Sequence, residues 1–131
     1  MDSGQLAKIK EVIASHPEIK LAYLFGSQAT GNVGPMSDYD FAFHLEGLDS
    51  KERFTMKINL ITALSSALKT DAIDVVILND LDMPELAYDI IKNSIVLYEQ
   101  EPYKVIIEPK ILNQYFDFHT MLKQHGLTRV P

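Results

Sequence analysis

Two short polar segments of this sequence, separated by ten residues, carry groups that suit phosphate and metal chemistry. Gly26 and Ser27 follow an apolar run, and Asp38-Tyr39-Asp40 opens the next one. Glycine and serine at a strand-to-helix turn let backbone amides approach phosphate oxygens. Two carboxylates on alternate residues of a strand point the same way and can hold magnesium. One small site could therefore bind a triphosphate together with its metal ion.

A third acid extends this pattern. Asp38 and Asp40 would lie about 6.5 to 7 Å apart along one strand face, near enough to repel each other and to share cations. Asp74 interrupts a later apolar segment, where a carboxylate seldom lacks a partner. Three carboxylates from neighbouring strands form an oxygen-rich site that suits magnesium or manganese rather than zinc. Acidic pairs at strand starts are also common as solvated turn residues, so the pair alone is a weak signal.

The spacing of apolar residues predicts the elements that position these groups. A helix is predicted from Ser3, which would cap it, to about His16. A strand follows over 19–25, and residues 28–37 allow at most a short helical turn and a loop. The second strand, over 39–45, places its aromatic residues on a core face. The opposite face, which carries the aspartates, would open to a cleft.

The longest predicted helix begins at Asp49, with Glu52 in capping-box position. Its apolar residues recur at helical spacing: Phe54, Ile58, Ile61, Leu64 and Leu68. The later elements are a strand over 72–78, a helix over 84–92, a strand over 95–98, and a C-terminal helix over about 109–124 that docks on the domain or on a partner. The sequence thus predicts one α/β (α+β) domain over 1–131, with a small mixed sheet and helices mainly on one face.

Composition narrows the classes of function. The chain has 131 residues, a net charge of −6 and only two arginines, which argues against a broad basic surface for nucleic acid. It contains no cysteine, so a disulfide framework and a thiolate metal site are excluded. No apolar run approaches the length that spans a membrane, and the N-terminus does not read as a signal peptide. These features favour a cytoplasmic protein.

The segment Leu24-Phe25-Gly26-Ser27, followed after ten residues by Asp38-Tyr39-Asp40-Phe41, resembles the signature of the DNA polymerase β-like nucleotidyltransferase superfamily. The minimal, single-domain branch fits this chain best by length. The resemblance implies a polymerase β-like fold in which Gly26 and Ser27 contact the nucleotide phosphates. It also implies that Asp38 and Asp40 bind magnesium and that Asp74 is the third ligand and candidate base.

Within that branch, the short length and the segment Tyr115-Phe116-Asp117-Phe118 resemble the MntA-type antitoxins, which pair with a HEPN-domain toxin of the HepT type. This resemblance implies a magnesium-dependent adenylyltransferase that moves AMP from ATP to a toxin tyrosine and silences the RNase. Two alternatives stay open. The acceptor could be a small molecule such as an aminoglycoside, or the chain could be a non-catalytic antitoxin that neutralises by binding alone.

One position departs from the family pattern. Many relatives carry an arginine shortly after the serine, whereas residues 28–31 here read Gln-Ala-Thr-Gly. Lys51, Arg53 or Lys57 could supply the missing charge from the following helix, although such charges more often form a solvated helix face. His44 lies on the aspartate face and could touch substrate, but a single histidine there is more often partly buried and hydrogen-bonded.

Overall fold

A computed structural model describes residues 2–30 and 38–126 of the chain. In chain order its elements are α1 (Ser3–Ala14), β1 (Ile19–Phe25), α2 (Ser27–Thr30), β2 (Tyr39–Leu45), α3 (Ser50–Leu68), β3 (Ile73–Ile77), a 3₁₀ turn (Leu78–Asp80), α4 (Pro84–Lys92), β4 (Ile95–Glu99) and α5 (Tyr103–Gln124). Residues 31–37, which the sequence assigns to the loop after the short helical turn, lie outside the described residues.

The four strands form one mixed sheet in the order β3-β2-β1-β4. Strand β1 pairs antiparallel with both β2 and β4, while β2 and β3 run parallel. The C-terminal end of β1 therefore lies at the same end of the sheet as the N-terminal ends of β2 and β3. The mixed α/β architecture predicted from the sequence is confirmed.

Apolar side chains pack on both faces of this sheet. The larger cluster lies under α1 and α3 and includes the ring of Phe41, which stacks between Tyr39 and Phe43. A second cluster lies under α4 and α5 and includes Tyr23 and Ala42. Because α4 and α5 pack on the face of β2 that carries the aspartates, helix packing over Ala42 and His44 takes the place of the open cleft that the sequence predicts there.

Capping boxes begin the two helices that cover the larger cluster. At α3 the predicted box is confirmed, because Glu52 N donates to Asp49 Oδ1 at 2.8 Å and Asp49 N donates to Glu52 Oε1 at 3.0 Å. At α1 the predicted cap is wrong by one residue. Asp2, not Ser3, accepts from Gln5 N at 2.7 Å. Asp2 has the extended backbone of a cap, and its carboxylate also interacts favourably with the helix dipole.

The buried stripe of α3 differs from the apolar spacing of its sequence. Leu60, Leu64 and Leu68 are buried at intervals of four residues, whereas Phe54 is 62% exposed and Ile58 is 49% exposed. Residues 58 and 60 are two positions apart, which places them on nearly opposite sides of a helix. Phe54 and Ile58 therefore face away from the sheet, whereas Met56 in the same half of α3 packs against the larger cluster.

Helix α5 begins at Tyr103, six residues before its predicted start, and contains Pro109. Proline lacks an N–H, so the carbonyl of Val105 loses its usual donor four residues later. Val105 is 75% exposed, so water can reach this turn of the helix. The α5 turns around Ile107 and Ile111 pack on the sheet. Although α5 has 22 residues, neither it nor another helix in the described ranges is apolar enough to cross a membrane.

Candidate active site

Strand pairing brings three of the predicted site residues to one end of the sheet. Phe25 pairs with Asp40 across β1 and β2, so Gly26 lies directly beside the start of β2. Asp40 in turn pairs with Asp74 across the parallel strands β2 and β3. Register partners in adjacent strands lie about 5 Å apart and point to the same face. Asp38 is exposed and lies two residues before Asp40.

Gly26 is required at its position for two reasons. Its φ is +73°, a left-handed conformation that disfavours residues with a Cβ. A Cβ built on Gly26 would also overlap Oδ2 of Asp40 and lie 3.2 Å from its Cγ. The sequence predicts Gly26 as a phosphate contact only. The sequence does not predict its close approach to Asp40. That approach follows from the antiparallel pairing of β1 with β2, which places Phe25 opposite Asp40.

Ser27 lies at the strand-to-helix turn that the sequence predicts. It is the first residue of α2 and directly follows Gly26, the residue in contact with Asp40. Ala29 N donates to the Gly26 carbonyl at 3.1 Å, which fixes the direction of the chain as it leaves the sheet. The turn of Gly26 and Ser27 and the carboxylates of β2 and β3 therefore form one continuous surface.

The Asp40 carboxyl lies in an environment that disfavours its charge. Burial raises the pKa of Asp40, and the nearby negative charges of Asp74 and Asp38 raise it further. Ionising Asp40 therefore costs free energy in the protein alone. A cation or a positively charged group at this position would lower that cost.

The chemistry of these carboxylates fits a hard divalent cation. They offer only oxygen donors, which magnesium and manganese prefer, and a bound cation would remove the repulsion around Asp40. As they stand, no three His, Asp or Glu side chains within residues 2–30 and 38–126 are arranged to coordinate a metal. Asp38 and Asp74 are both exposed, so their side chains have room to turn toward Asp40.

Arg53 lies at the other end of the sheet, so it does not replace the arginine that this chain lacks after Ser27. Its guanidinium donates to both carboxylate oxygens of Asp80 at 2.8 to 3.2 Å and to the carbonyl of Leu48 at 2.8 Å. Asp80 and Leu48 follow the C-terminal ends of β3 and β2, and β2 ends five residues after Asp40, about 17 Å along the strand. The first two turns of α3, which carry Lys51 and Lys57, start from that same end.

His44 is 6% exposed and lies four residues beyond Asp40, about 13 Å along β2. Its Nε2 lies 2.6 Å from Oε2 of Glu46, and its ring is 6.0 Å from that of Tyr103. The structure thus places His44 as a buried, hydrogen-bonded residue under α5 and away from the carboxylates.

Comparison with known families gives one match that covers most of the chain. A family model described as polymerase beta, nucleotidyltransferase matches residues 7–103, a range that contains every predicted site residue. Among curated proteins, no sequence matches significantly.

Several solved structures share the fold. A chain of the crystal structure of a toxin–antitoxin with AMP-PNP aligns with a TM-score of 0.76 and 24% identity, covering 91% of this chain and 93% of that one. A chain of the tri-AMPylated Shewanella oneidensis HEPN toxin in complex with MNT antitoxin aligns with a TM-score of 0.70 and 22% identity, covering 92% and 91%. A chain of the toxin–antitoxin MntA-HepT also aligns with a TM-score of 0.70 and 22% identity, covering 92% of each.

Proposed function

The chain belongs to the polymerase beta nucleotidyltransferase family, and we propose that it is an antitoxin that transfers AMP from ATP to a tyrosine of a cognate HEPN-type RNase toxin. The observation that carries the proposal is the convergence of Gly26, Asp40 and Asp74 at one end of the sheet. The shared fold with chains of toxin–antitoxin complexes, one with AMP-PNP and one with an AMPylated toxin, supports the choice of nucleotide and acceptor.

In this proposal Gly26 and Ser27 bind the phosphates of ATP. Because Gly26 has no side chain and a left-handed φ, a phosphate can approach the turn between β1 and α2 closely. Ser27 adds a hydroxyl next to it. Gly26 approaches Asp40 closely, and Ser27 follows it in the chain. A triphosphate bound at this turn would therefore lie next to the carboxylates.

The carboxylates have separate proposed roles. Asp38 and Asp40 would hold magnesium with Asp74 as the third ligand. When bound, the ion would neutralise phosphate charge and favour ionisation of the attacking hydroxyl. Asp74 would also accept the proton of the toxin tyrosine, whose oxygen forms a bond to the α-phosphorus as the bond to the β-phosphate oxygen breaks. The products are the AMP ester of the tyrosine and pyrophosphate. An ATP-consuming reaction of this kind supports the cytoplasm as the proposed location.

We propose that residues 1–131 act as one nucleotidyltransferase domain whose partner contacts the second half of α5. There Tyr115 stacks on Tyr88 of α4, with ring centres 3.8 Å apart. Phe116 and Met121 are 56% and 44% exposed on this part of the helix. Exposed aromatic and methionine side chains are enriched at protein interfaces, which supports this surface as the contact.

A second candidate is an antitoxin that neutralises its toxin by binding alone. Gln28 follows Ser27 where many relatives have arginine, and Arg53 is held by Asp80 at the far end of the sheet. With neither an arginine at position 28 nor Arg53 available to the triphosphate, catalysis would depend more on the metal and on the partner. This candidate predicts that the carboxylates are dispensable for neutralisation.

Labelled ATP separates these candidates. The chain is incubated with α-³²P-ATP, magnesium and its proposed cognate HEPN-type toxin, and Asp40→Asn is compared with wild type. We expect label on a toxin tyrosine, its loss on chelation of the metal, and at least about a hundredfold slower labelling with Asp40→Asn. Asp82→Asn, an exposed aspartate outside the site, makes the same charge change and should label normally.

The other outcomes identify the alternatives. If the toxin is inhibited without label, and equally by Asp40→Asn, the chain acts by binding alone. If a panel of aminoglycosides is labelled while the toxin is not, the acceptor is a small molecule. Either result would overturn the proposed transfer to a protein.

A further inference from the structure

A cavity of about 560 Å³ lies at the end of the sheet opposite the carboxylates. It is bounded by the last turn of α1, the start of β1 and the end of β4, and we call it the α1–β4 cavity. Its apolar floor includes Ile13, Ile19 and Leu97, which are almost fully buried. Lys20 on its wall and Phe25 beside the carboxylates are five residues apart, about 17 Å along β1. The cavity is therefore separate from the proposed ATP site.

The charged side chains that line this cavity are basic, although Glu18 and Glu99 lie next to lining residues in the sequence. Lys10, His16 and Lys20 line it, and among the described residues on its walls there is no aspartate or glutamate. This contrasts with the chain as a whole, which has 18 acidic residues against 12 lysines and arginines. The cavity is thus a basic concave surface on an acidic protein, and it favours an anion.

Two of these basic groups are held in place by neighbouring backbone. Lys20 Nζ donates to the Pro17 carbonyl at 2.8 Å and to Gln100 Oε1 at 3.5 Å. The ammonium also lies 5.9 Å from the centre of the Tyr103 ring, so two of its three N–H donors are used in hydrogen bonds and the third is shared between that ring and a ligand. His16 Nδ1 lies 2.7 Å from the Val12 carbonyl, which can only accept, so Nδ1 carries the hydrogen.

We propose that the α1–β4 cavity binds an organic anion that combines a flat ring with a phosphate or carboxylate group. A volume of 560 Å³ lies within the range of small-molecule sites, and a mainly apolar lining with a few fixed polar groups is typical of them. The buried floor would contact the ring of the ligand, and Tyr98 also lines the cavity. Lys10 and Lys20 would bind its anionic group. This site is distinct from, and independent of, the proposed transfer of AMP.

AMP serves as the probe because it combines a flat ring with a phosphate. The ¹⁵N-labelled full chain is titrated with AMP in EDTA to about 5 mM, a range that detects millimolar dissociation constants. We expect saturable amide shifts at Ala14, Lys20 and Gln100, with weaker binding of adenosine and of inorganic phosphate. Shifts confined to Gly26 and Asp40 would place the nucleotide only at the carboxylate end and would overturn the proposal, as would the absence of any shift.

A matched pair of lysine variants tests the charge. Lys10 and Lys8 are both exposed on α1, but they are two positions apart and only Lys10 lines the cavity. Lys10→Gln should weaken AMP binding at Ala14 and Lys20 about five- to tenfold, the loss expected for one charge-assisted contact. Lys8→Gln should leave it unchanged. Equal weakening by both variants, or equal binding of adenosine and AMP, would show that no anion site exists there.

Discussion

Gly26 and Asp40 constrain each other, which makes Gly26 the most sensitive position of the site. Gly26→Ala would force the new Cβ against the Asp40 carboxylate and place alanine at a φ of +73°. We expect a loss of about 2 to 4 kcal/mol in the free energy of unfolding, from about 1 kcal/mol of backbone strain and about 1 to 3 kcal/mol of overlap. Displacement of Asp40 should also lower AMP transfer at least about tenfold.

Gly47 supplies the control for this prediction. Its φ is +83°, yet a Cβ added there would meet nothing within 4 Å. Gly47→Ala should therefore show only the backbone strain, about 1 kcal/mol by chemical denaturation, with normal transfer activity. Equal losses of activity in the two variants would mean that the contact between Gly26 and Asp40 has no part in the reaction.

Asp40 predicts a pH dependence of stability. Its pKa is raised in the folded protein, so the folded state binds the proton more tightly than the unfolded state does. The stabilisation by that proton is complete below the unfolded pKa and is lost as the pH rises through the raised pKa. At pH 7 in EDTA, Asp40→Asn should therefore have a higher Tm than wild type, and this gain should disappear on acidification.

Metal addition completes the Asp40 measurement. Magnesium should raise the Tm of the wild type at pH 7, because binding to the folded state stabilises it, and should leave Asp40→Asn almost unchanged. Asp82→Asn, which removes a distant exposed carboxylate, should respond to magnesium as wild type does. A wild-type Tm that does not respond to magnesium or manganese would contradict the metal role of these carboxylates.

At the scale of elements, a hydrogen bond between Tyr23 and Glu108 joins α5 to the central strand β1. Tyr23 is 1% exposed on β1, and its hydroxyl donates to Glu108 Oε2 at 2.7 Å. Burial and Glu108 raise the pKa of Tyr23. Tyr23→Phe should lower the free energy of unfolding by about 1 to 2 kcal/mol and speed hydrogen exchange in α5. Tyr98→Phe is the control, since the Tyr98 hydroxyl donates to the side chain of Gln100, two residues away on the surface.

The sign of the Tyr23 pKa shift adds a second observable. Because the folded state retains the proton, the stabilisation is fully present below the tyrosine pKa of the unfolded chain, about 10, and declines above it. The difference in stability between wild type and Tyr23→Phe should therefore shrink in alkaline solution. A difference that is constant across that range would mean that the hydroxyl does not keep its proton.

Arg53 tests which end of the sheet binds ATP. It lies with Asp80 at the end opposite Gly26 and Asp40, so Arg53→Gln should not change the KM for ATP or the rate of AMP transfer. Its effect on stability should be small and should decrease with salt, as expected for an exposed ion pair. A clear rise in the KM for ATP would instead show that α3 supplies the charge absent after Ser27.

Several elements could be predicted because their bounds are set by nearby residues. Strands β1 and β2 and helix α4 begin and end where the apolar runs and proline predict. The early start of α5 could not, because Pro109 is tolerated where its turn is exposed and the helix packs on both sides of it. The exposure of Phe54 and Ile58 was also hidden, since apolar spacing does not say which stripe meets the sheet.

The site could be predicted only in part, because part of it depends on how distant strands pair. The residue types and spacing of Gly26, Asp38 and Asp40 predict phosphate and metal chemistry without a structure. The argument from burial does not hold for Asp74. Its side chain is exposed on an edge strand, so it needs no partner to compensate for burial. Its pairing with Asp40 depends on the parallel register of β2 and β3, a long-range property that single residues do not encode.

Over the whole molecule, the two ends of the sheet differ in charge and in proposed ligand. The carboxylates concentrate negative charge where Asp40 resists ionisation, whereas Lys10 and Lys20 line a cavity at the opposite end. A divalent cation suits the first end and an organic anion suits the second. Because the two sites share β1 but lie about 17 Å apart, substitutions at one should leave binding at the other nearly unchanged.

The second half of α5 provides the test of the proposed partner surface. Phe116 is 56% exposed beside the stacked rings of Tyr88 and Tyr115, and large exposed aromatic side chains often dominate binding energy at interfaces. Phe116→Ala should weaken binding of the cognate HEPN toxin at least about tenfold, measured by calorimetry. Val105→Ala, on the same helix and 75% exposed, should bind normally. Normal binding by Phe116→Ala, together with retained AMP transfer, would move the partner contact off α5 and leave the catalytic proposal intact.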